Sequence, residues 1–334
     1  MPARWRRRTS NSWWVFGSPR RRLLTMLLIA AVVAIPVPSA AYPPQVLVFV
    51  ANTGSDNVTV YDTRLSEVIA TVGVGDGPVG VGATPNGDLV YVTNEQSDTV
   101  SVLDGRTHVV VASVPVGMNP FGVAATSSHA YVANFGSDSV TVIDIATQQP
   151  VTEIPAGRFP HTPVVSPDGH RVYVTNNGGA RVTVIDTRIN KVVGTIPVGR
   201  FPAGIAFGPH GDRLYVANTG DDTVSVISIP ADRPVATIPV GDAPMGLSVT
   251  PRGVVYVANA GADTISVINA PTVGATSTVQ VQQRPEGSAA SPDNSFVYIT
   301  NTVSNTMSVI DTATSTPVDT VPVGQQPEGI TVTT

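Results

Sequence analysis

The stretch FPAGIAFGPHGDRLYVANTGDDTVSVISIPADRPVATIPVG, residues 201–241, is one copy of the unit from which almost the whole chain is built. It contains four short runs rich in β-branched residues, separated by turn residues, which is typical of antiparallel strands joined by tight turns. We name these predicted strands a (204–207), b (213–217), c (223–227) and d (234–240). No window shows the three-to-four residue spacing of an amphipathic helix, so the sequence predicts an all-β fold.

The end of strand b recurs seven times as a short phrase of the type VYVTN. Its final asparagine falls at Asn52, Asn94, Asn134, Asn176, Asn218, Asn259 and Asn301. Successive asparagines are 40 to 42 residues apart, a period that indicates an array or a closed ring of repeats. A four-stranded meander of about 41 residues has the size of a propeller blade. Because asparagine supports Asx turns and left-handed backbone, we interpret these seven residues as structural.

The two ends of the repeat array complement each other. The first phrase, which ends at Asn52, has no strand a before it, whereas residues 325–333 follow the last strand d and have the sequence of an unattached strand a. Pairing of this tail with the first strand b would complete seven blades and cover an otherwise unpaired strand edge. The sequence therefore predicts a seven-bladed β-propeller over residues 42–334, built of four-stranded antiparallel blades and closed by its C-terminal strand.

Residues 1–41 are predicted to form a secretory signal peptide. Seven arginines precede the apolar stretch 23–35, and small residues follow at Ser39 and Ala41, which is the composition of a cleavable signal. Cleavage after Ala41 would leave Tyr42 as the first residue. An uncleaved anchor is the alternative, although about 13 apolar residues are few for a membrane span, which needs about 20. We expect export to the periplasm, the cell envelope or the extracellular space.

Charge and cysteine content restrict the classes of function. The chain has no cysteine, so neither a disulfide nor a lipid-modified cysteine can form. Without residues 1–41 it keeps 12 basic and 24 acidic residues, a net charge of −12. This balance disfavours tight binding to phosphate backbones, which depends on dense Lys and Arg.

The repeat resembles the YVTN-repeat β-propeller family, which includes YncE-like secreted or periplasmic propellers. The resemblance rests on the VYVTN phrase, the VSVID or VTVID run after it, and the PxG and SPDG segments on either side of strand a, and it covers residues 45–334. It implies a propeller fold and export. Similar proteins include surface-layer modules and, more distantly, lactonase-like and haem d1-type propellers, so the resemblance alone implies no single activity.

Candidate site residues are those that differ from blade to blade where the d–a and b–c loops share one rim, at the mouth of the axial channel. They are Phe121, Arg158, Phe159, His161, Arg200, Phe201, Met245, Arg284, Glu286 and Glu328. An aromatic and cationic arc in blades three to five would face an acidic arc in blades seven and one, which suits a small organic anion or a peptide. In the alternative interpretation the phenylalanines pack between blades and the arginines are solvated.

Catalytic motifs are absent from the sequence: it has no GxSxG elbow, HExxH helix, phosphate loop or calcium loop. The nearest approach to a catalytic set is His161 with Glu286 and Glu328. Three further histidines lie in or beside the a–b turns of successive blades: His129, His170 and His210. No acidic or cysteine partner recurs beside them, so we expect neither a metal site nor a cofactor.

Three hypotheses for function stay open at this point. The first is a secreted, non-enzymatic propeller that acts as a ligand-binding or protein-interaction scaffold in the cell envelope, with a protein, a peptide or a small organic anion as its partner. The second is a lactonase-like hydrolase with its site at the channel mouth. The third is binding of single-stranded nucleic acid, as in some periplasmic members of the family, which the negative charge disfavours. A membrane would be a partner only if the signal stayed uncleaved.

Overall fold

The protein is a ring of seven four-stranded antiparallel sheets. The computed structural model describes residues 46–269 and 274–333, and the predicted signal peptide at 1–41 lies outside them. The described part of the chain contains 28 strands and one short 3₁₀ turn, Thr53–Ser55. Within that part, no helix has the length and apolar character needed to cross a membrane.

Each blade runs outward from strand a at the axis to strand d at the periphery. Blade one comprises β28 (Pro327–Val332), β1 (Leu47–Asn52), β2 (Asn57–Asp62) and β3 (Glu67–Gly73). Blade two comprises β4 (Pro78–Ala83), β5 (Leu89–Asn94), β6 (Thr99–Asp104) and β7 (Val110–Pro115). Blade three comprises β8 (Pro120–Ala125), β9 (His129–Asn134), β10 (Ser139–Asp144) and β11 (Gln149–Pro155). Blade four comprises β12 (Pro160–Val165), β13 (Arg171–Asn176), β14 (Arg181–Asp186) and β15 (Lys191–Pro197).

The remaining three blades repeat this order. Blade five comprises β16 (Pro202–Phe207), β17 (Arg213–Asn218), β18 (Thr223–Ser228) and β19 (Arg233–Pro239). Blade six comprises β20 (Pro244–Val249), β21 (Val254–Asn259), β22 (Thr264–Asn269) and β23 (Gly274–Gln280). Blade seven comprises β24 (Pro285–Ala290), β25 (Phe296–Asn301), β26 (Thr306–Asp311) and β27 (Thr316–Pro322). The predicted all-β, seven-bladed fold is confirmed.

The C-terminal strand β28 completes blade one, as the sequence predicts. It pairs antiparallel with β1, with Val332 opposite Val48 and Ile330 opposite Val50. Ile330 and Val332 also pack against a buried cluster that joins Val48 and Val50 of blade one to Tyr298 of blade seven. Main-chain hydrogen bonds and an apolar interface therefore close the ring together.

The hydrophobic core is divided among the interfaces between blades. The described residues form seven apolar clusters, each made by two adjacent blades. In the cluster between blades two and three, for example, Tyr91 packs with Val132 and Ile143. Strands b and c are buried on both faces because each sheet packs against two neighbours. The outermost strands are largely exposed.

An aromatic residue in strand b reaches the c–d turn of the next blade. In blade three, Tyr131 Oη donates a hydrogen bond to Asn190 Oδ1 of blade four at 2.8 Å. Blade one has Phe49 at this position, and its ring meets the ring of His108 edge-on, with centroids 6.0 Å apart. Because Phe49 has no hydroxyl, the buried Nε2 of His108 has no hydrogen-bond partner among the described residues.

The seven repeated asparagines are fully buried and belong to the hairpin between strands b and c. The expected left-handed backbone does not apply, because none of the seven has a positive φ. The expected Asx turn does not form either, because no Oδ1 atom of the seven accepts a main-chain N–H of its own turn. Their amides donate across the hairpin instead, for example from Asn218 to Thr223 Oγ1 at 3.0 Å and to Ser225 Oγ at 2.9 Å. The left-handed position lies four residues later, at Asp222 (φ 53°). The Asp222 carboxylate accepts the Ala243 N–H of the next d–a loop at 2.9 Å.

Candidate functional site

The innermost strands approach one another so closely that only glycine fits at one position in six blades. A Cβ added there would lie 2.1 to 2.6 Å from the carbonyl oxygen of the next blade. These glycines are Gly80, Gly122, Gly204, Gly246, Gly287 and Gly329. Blade four has Thr162 instead, whose N–H donates to Thr175 Oγ1 at 3.0 Å. This constriction sets a rigid backbone ring at the channel axis, from which the preceding side chain of each blade projects.

A cavity of about 230 Å³ lies on the axis, lined by the start of strand a from all seven blades. Five predicted site residues line it: Phe121, His161, Met245, Glu286 and Glu328. Val79, Ile205 and Leu247 add apolar surface. The other five predicted residues do not line this cavity.

One side of the cavity is aromatic. The rings of Phe121 and His161 are in contact and tilted, with centroids 3.9 Å apart and an interplanar angle of 36°. Phe135, which the sequence analysis missed, stacks on Phe159 with centroids 4.8 Å apart and an angle of 12°. Phe135 also lies 6.3 Å from Phe121, so blades three and four present a continuous aromatic cluster.

His161 is the buried polar group of this aromatic side, with 7 % of its surface exposed. Its Nδ1 shares a hydrogen bond with Thr162 Oγ1 at 2.9 Å. Burial lowers the pKa of His161 to about 4, so the ring is neutral at physiological pH. A neutral imidazole beside phenylalanine adds polarity to the cavity without adding positive charge.

The opposite side of the cavity is acidic. Glu286 is 9 % exposed and forms an ion pair with Arg284, with 2.7 Å between Glu286 Oε1 and Arg284 Nε. Burial raises the pKa of Glu286, while Arg284 and a hydrogen bond with Thr302 oppose the rise. Burial, together with repulsion from Glu286 and then Glu95, raises the pKa of Glu328 to about 7. The carboxyl groups of Glu286 and Glu95 therefore both act on Glu328, and the Arg284 guanidinium partly offsets their effect.

The arginines of the predicted aromatic and cationic arc, Arg158 and Arg200, do not line the cavity. Arg200 is 70 % exposed and pairs with Asp221, Nε to Oδ1 at 2.5 Å. The Arg158 guanidinium carbon lies 5.2 Å from the ring centroid of Phe159. Phe201 is 53 % exposed. Among the described residues, no arginine or lysine lines the cavity to bind the organic anion expected from the sequence, and Arg284, beside its acidic side, is paired with Glu286.

Two residues of the site, Glu95 and Phe135, were not among the predicted residues, which came mainly from the PxG segment of each blade. Both directly follow the repeated asparagine, at the start of the b–c loop. This position also differs from blade to blade and reads Thr53, Glu95, Phe135, Asn177, Thr219, Ala260 and Thr302. The b–c loop is hydrogen bonded to the d–a loop of its own blade, for example from Glu95 N–H to Gly77 O at 2.8 Å. A blade-by-blade comparison of this second position would have found both residues.

The described residues show no cluster of three or more histidine, aspartate or glutamate side chains suited to a metal ion. His161 makes no hydrogen bond with Glu286 or Glu328 within the described part of the chain. The nearest approach to a catalytic set is therefore not assembled in this structure.

Solved structures with the same fold come from proteins of varied function. The chain is similar to hydrazine synthase of Kuenenia stuttgartiensis, with 25 % identity, a TM-score of 0.73 and coverage of 79 % of this chain and 92 % of that one. It is also similar to the dihydro-heme d1 dehydrogenase NirN in complex with DHE, with 20 % identity, a TM-score of 0.64 and coverage of 86 % and 67 %. A candidate 6-phosphogluconolactonase from Bacteroides uniformis ATCC 8492 has 16 % identity, a TM-score of 0.74 and coverage of 86 % and 99 %.

Comparison of the sequence with protein families gives a more specific match than the fold does. No curated protein sequence matches the chain. The YNCE-like beta-propeller family model matches residues 116–213, which extend from the loop before blade three to the start of β17 in blade five. The structural similarities below 25 % identity show the fold alone, and the function differs among them. Over residues 116–213 the chain is therefore similar to the YNCE-like beta-propeller family, and the seven-bladed ring agrees with a propeller of this kind.

Proposed function

We propose that the protein is an exported, non-enzymatic propeller that binds a ligand in its axial cavity, in the cell envelope or outside the cell. The single observation that carries this proposal is the lining of the cavity. The close approach of glycine backbone repeats in six blades, whereas the side chains beside it differ around most of the ring and sort into an aromatic side and an acidic side. A concave apolar surface with a few converging polar groups is the usual form of a ligand site.

The hydrolase hypothesis has weaker support. Hydrolysis by a nucleophile or an activated water needs a base held by a hydrogen bond to an orienting group. His161 instead bonds to a threonine hydroxyl, and its ring lies tilted against that of Phe121. Its low pKa makes it a weak base at neutral pH. Nucleic-acid binding is also less supported, since Arg200 and Arg284 on this rim are engaged by carboxylates.

A matched pair of tryptophan variants tests the location of the site. Met245→Trp fills the cavity, whereas Met118→Trp alters a 55 % exposed position on the d–a loop of another blade. Thermal shift is measured for wild type and both variants against a panel of amines, carboxylates, lactones, short peptides and oligothymidylate. We expect the ligands that stabilise wild type to stabilise Met118→Trp and to have no effect on Met245→Trp.

Three results would contradict the proposal. Ligands that stabilise all three proteins equally bind elsewhere. Turnover of a lactone that is lost in Met245→Trp would favour the hydrolase, and binding of oligothymidylate alone would favour the nucleic-acid hypothesis.

Export is tested separately by the mass of the protein recovered outside the cytoplasm. We expect Tyr42 at its N-terminus, and an intact residue 1–41 segment would contradict cleavage.

A further inference from the structure

We propose that the axial cavity takes a small organic cation, a molecule that joins a protonated amine or amidine to an apolar group. This inference rests on the proposed function, because it names the ligand class for the same cavity. Carboxyl groups on one side would attract the positive charge, and aromatic and thioether groups on the other would cover the apolar part. Sites for organic ammonium groups commonly combine these two elements.

When its carboxyl groups are ionised, the acidic side carries more negative than positive charge. Glu286 and Glu95 both repel the charge of Glu328, and within the described residues Arg284 is the cationic side chain that acts on Glu286 and Glu328. Three carboxylates and one guanidinium leave an excess of about two negative charges when all are ionised. The Arg284 side chain is also 59 % exposed, so water screens its contribution. A ligand cation would supply the missing charge.

The aromatic side can receive the apolar part of such a ligand. Phe121 and Met245 both line the cavity. A phenylalanine ring attracts cations through its electron-rich face, and a methionine side chain adapts to irregular apolar shapes. Val79, Ile205 and Leu247 extend the apolar surface around the axis. An inorganic cation would leave this surface unused, so the lining favours an organic one.

His161 is the second, independent indication of a ligand. It is more than nine-tenths buried and lines the cavity. Nδ1 bonds to Thr162, while Nε2 makes no hydrogen bond with any described residue. Because the ring lines the cavity, this nitrogen can bond to a polar group of a ligand there. Because the ring is neutral at physiological pH, it would not repel a cation.

The volume of the cavity limits the size of the ligand. About 230 Å³ is below the roughly 300–1,000 Å³ of sites for drug-sized molecules. It corresponds to about eight water molecules at about 30 Å³ each. We therefore expect an amine or amidine with one small apolar group rather than a polyamine or a peptide.

Three probes of matched shape separate charge from shape: benzylammonium, benzyl alcohol and benzoate. Binding is measured by isothermal titration calorimetry at about pH 8, where a carboxyl with a pKa of about 7 is mostly ionised. We expect benzylammonium to bind at least about tenfold more tightly than benzyl alcohol, a difference of about 1.4 kcal/mol, and benzoate not to bind. Glu328→Gln and Phe121→Leu should each weaken benzylammonium several-fold. The matched control is Glu67→Gln, on the exposed outer strand of blade one, which should leave the affinity unchanged.

The outcomes distinguish this inference from the proposed function. If benzyl alcohol or benzoate binds as tightly as benzylammonium and Met245→Trp abolishes the binding, the cavity is a ligand site but not a cation site. Calcium that binds more tightly than benzylammonium, with the same loss in Glu328→Gln, would overturn the organic class. No binding of benzylammonium at millimolar concentration also counts against the inference. Circular dichroism of each variant confirms that a loss of binding does not reflect unfolding.

Discussion

Replacing Glu328 with glutamine is expected to stabilise the protein increasingly as the pH rises from about 4.5 to about 7, and to the full extent above that. Glu328 lies in the closing strand β28 and lines the axial cavity. Burial is the largest cause of its raised pKa, and repulsion from Glu286 and Glu95 adds to it. Glutamine has nearly the shape of the protonated carboxyl group, so the variant removes the charge and keeps the packing.

The magnitude and the sign follow from the two pKa values. The pKa of Glu328 is 4.5 as a free side chain and about 7 in the folded protein. The folded state therefore holds a proton that the unfolded chain releases between these values, so this contribution to stability is complete below pH 4.5 and lost as the pH rises through 7. At about 1.4 kcal/mol per pKa unit, the charged form costs the folded state about 3 kcal/mol at alkaline pH.

Urea denaturation of wild type and variant at two pH values measures this cost. At about pH 4 the two free energies of unfolding should agree within about 0.5 kcal/mol, the usual range for a neutral substitution. At about pH 8.5 the Glu328→Gln protein should be more stable by up to about 3 kcal/mol, with an unchanged dependence on urea. Glu67→Gln, in the exposed strand β3, is the control and should change little at either pH. A difference that is the same at both pH values, or a wild type that is more stable than the variant at the higher pH, would refute the reasoning.

Three further predictions concern the ring itself. Deleting residues 327–334 should open blade one and lower the melting temperature by more than about 5 °C; an unchanged melting temperature would contradict closure by β28. Phe49→Tyr should place a hydroxyl near the unpartnered Nε2 of His108 and raise the free energy of unfolding by about 1 kcal/mol, whereas a loss of stability would show that the hydroxyl does not fit. Gly80→Ala, whose Cβ would lie 2.1 Å from a backbone oxygen, should destabilise by more than about 2 kcal/mol. Gly73→Ala, with nothing within 4 Å, should cost little, and equal effects of the two substitutions would contradict the close approach at the axis.

Much of the fold could be predicted because its determinants are local and repeated. The strands predicted within residues 201–241 agree with β16 to β19 to within two residues at each end. Closure by residues 325–333 was also predictable, because one strand was missing at the first repeat and one was left over at the end. The hydrogen bonds of the repeated asparagines could not be predicted, because turn propensity suggested left-handed backbone at these positions. The hydroxyls that bind them in strand c become neighbours only once the hairpin forms.

The sequence by itself determined the four-stranded blade, the number of blades and five of the ten candidate residues, namely those that line the cavity. Strand period, turn residues and repeat length act within about 41 residues, and such short-range patterns can be read directly. Only the tertiary structure decided which charges meet. Glu95 and Glu328 are far apart in the chain, yet each affects the other because the ring brings blades one and two together. Arg200 was predicted to face the channel, but Asp221 of its own blade holds it at the surface. Electrostatic interactions depend on distance in space and on burial, and neither is contained in the order of residues.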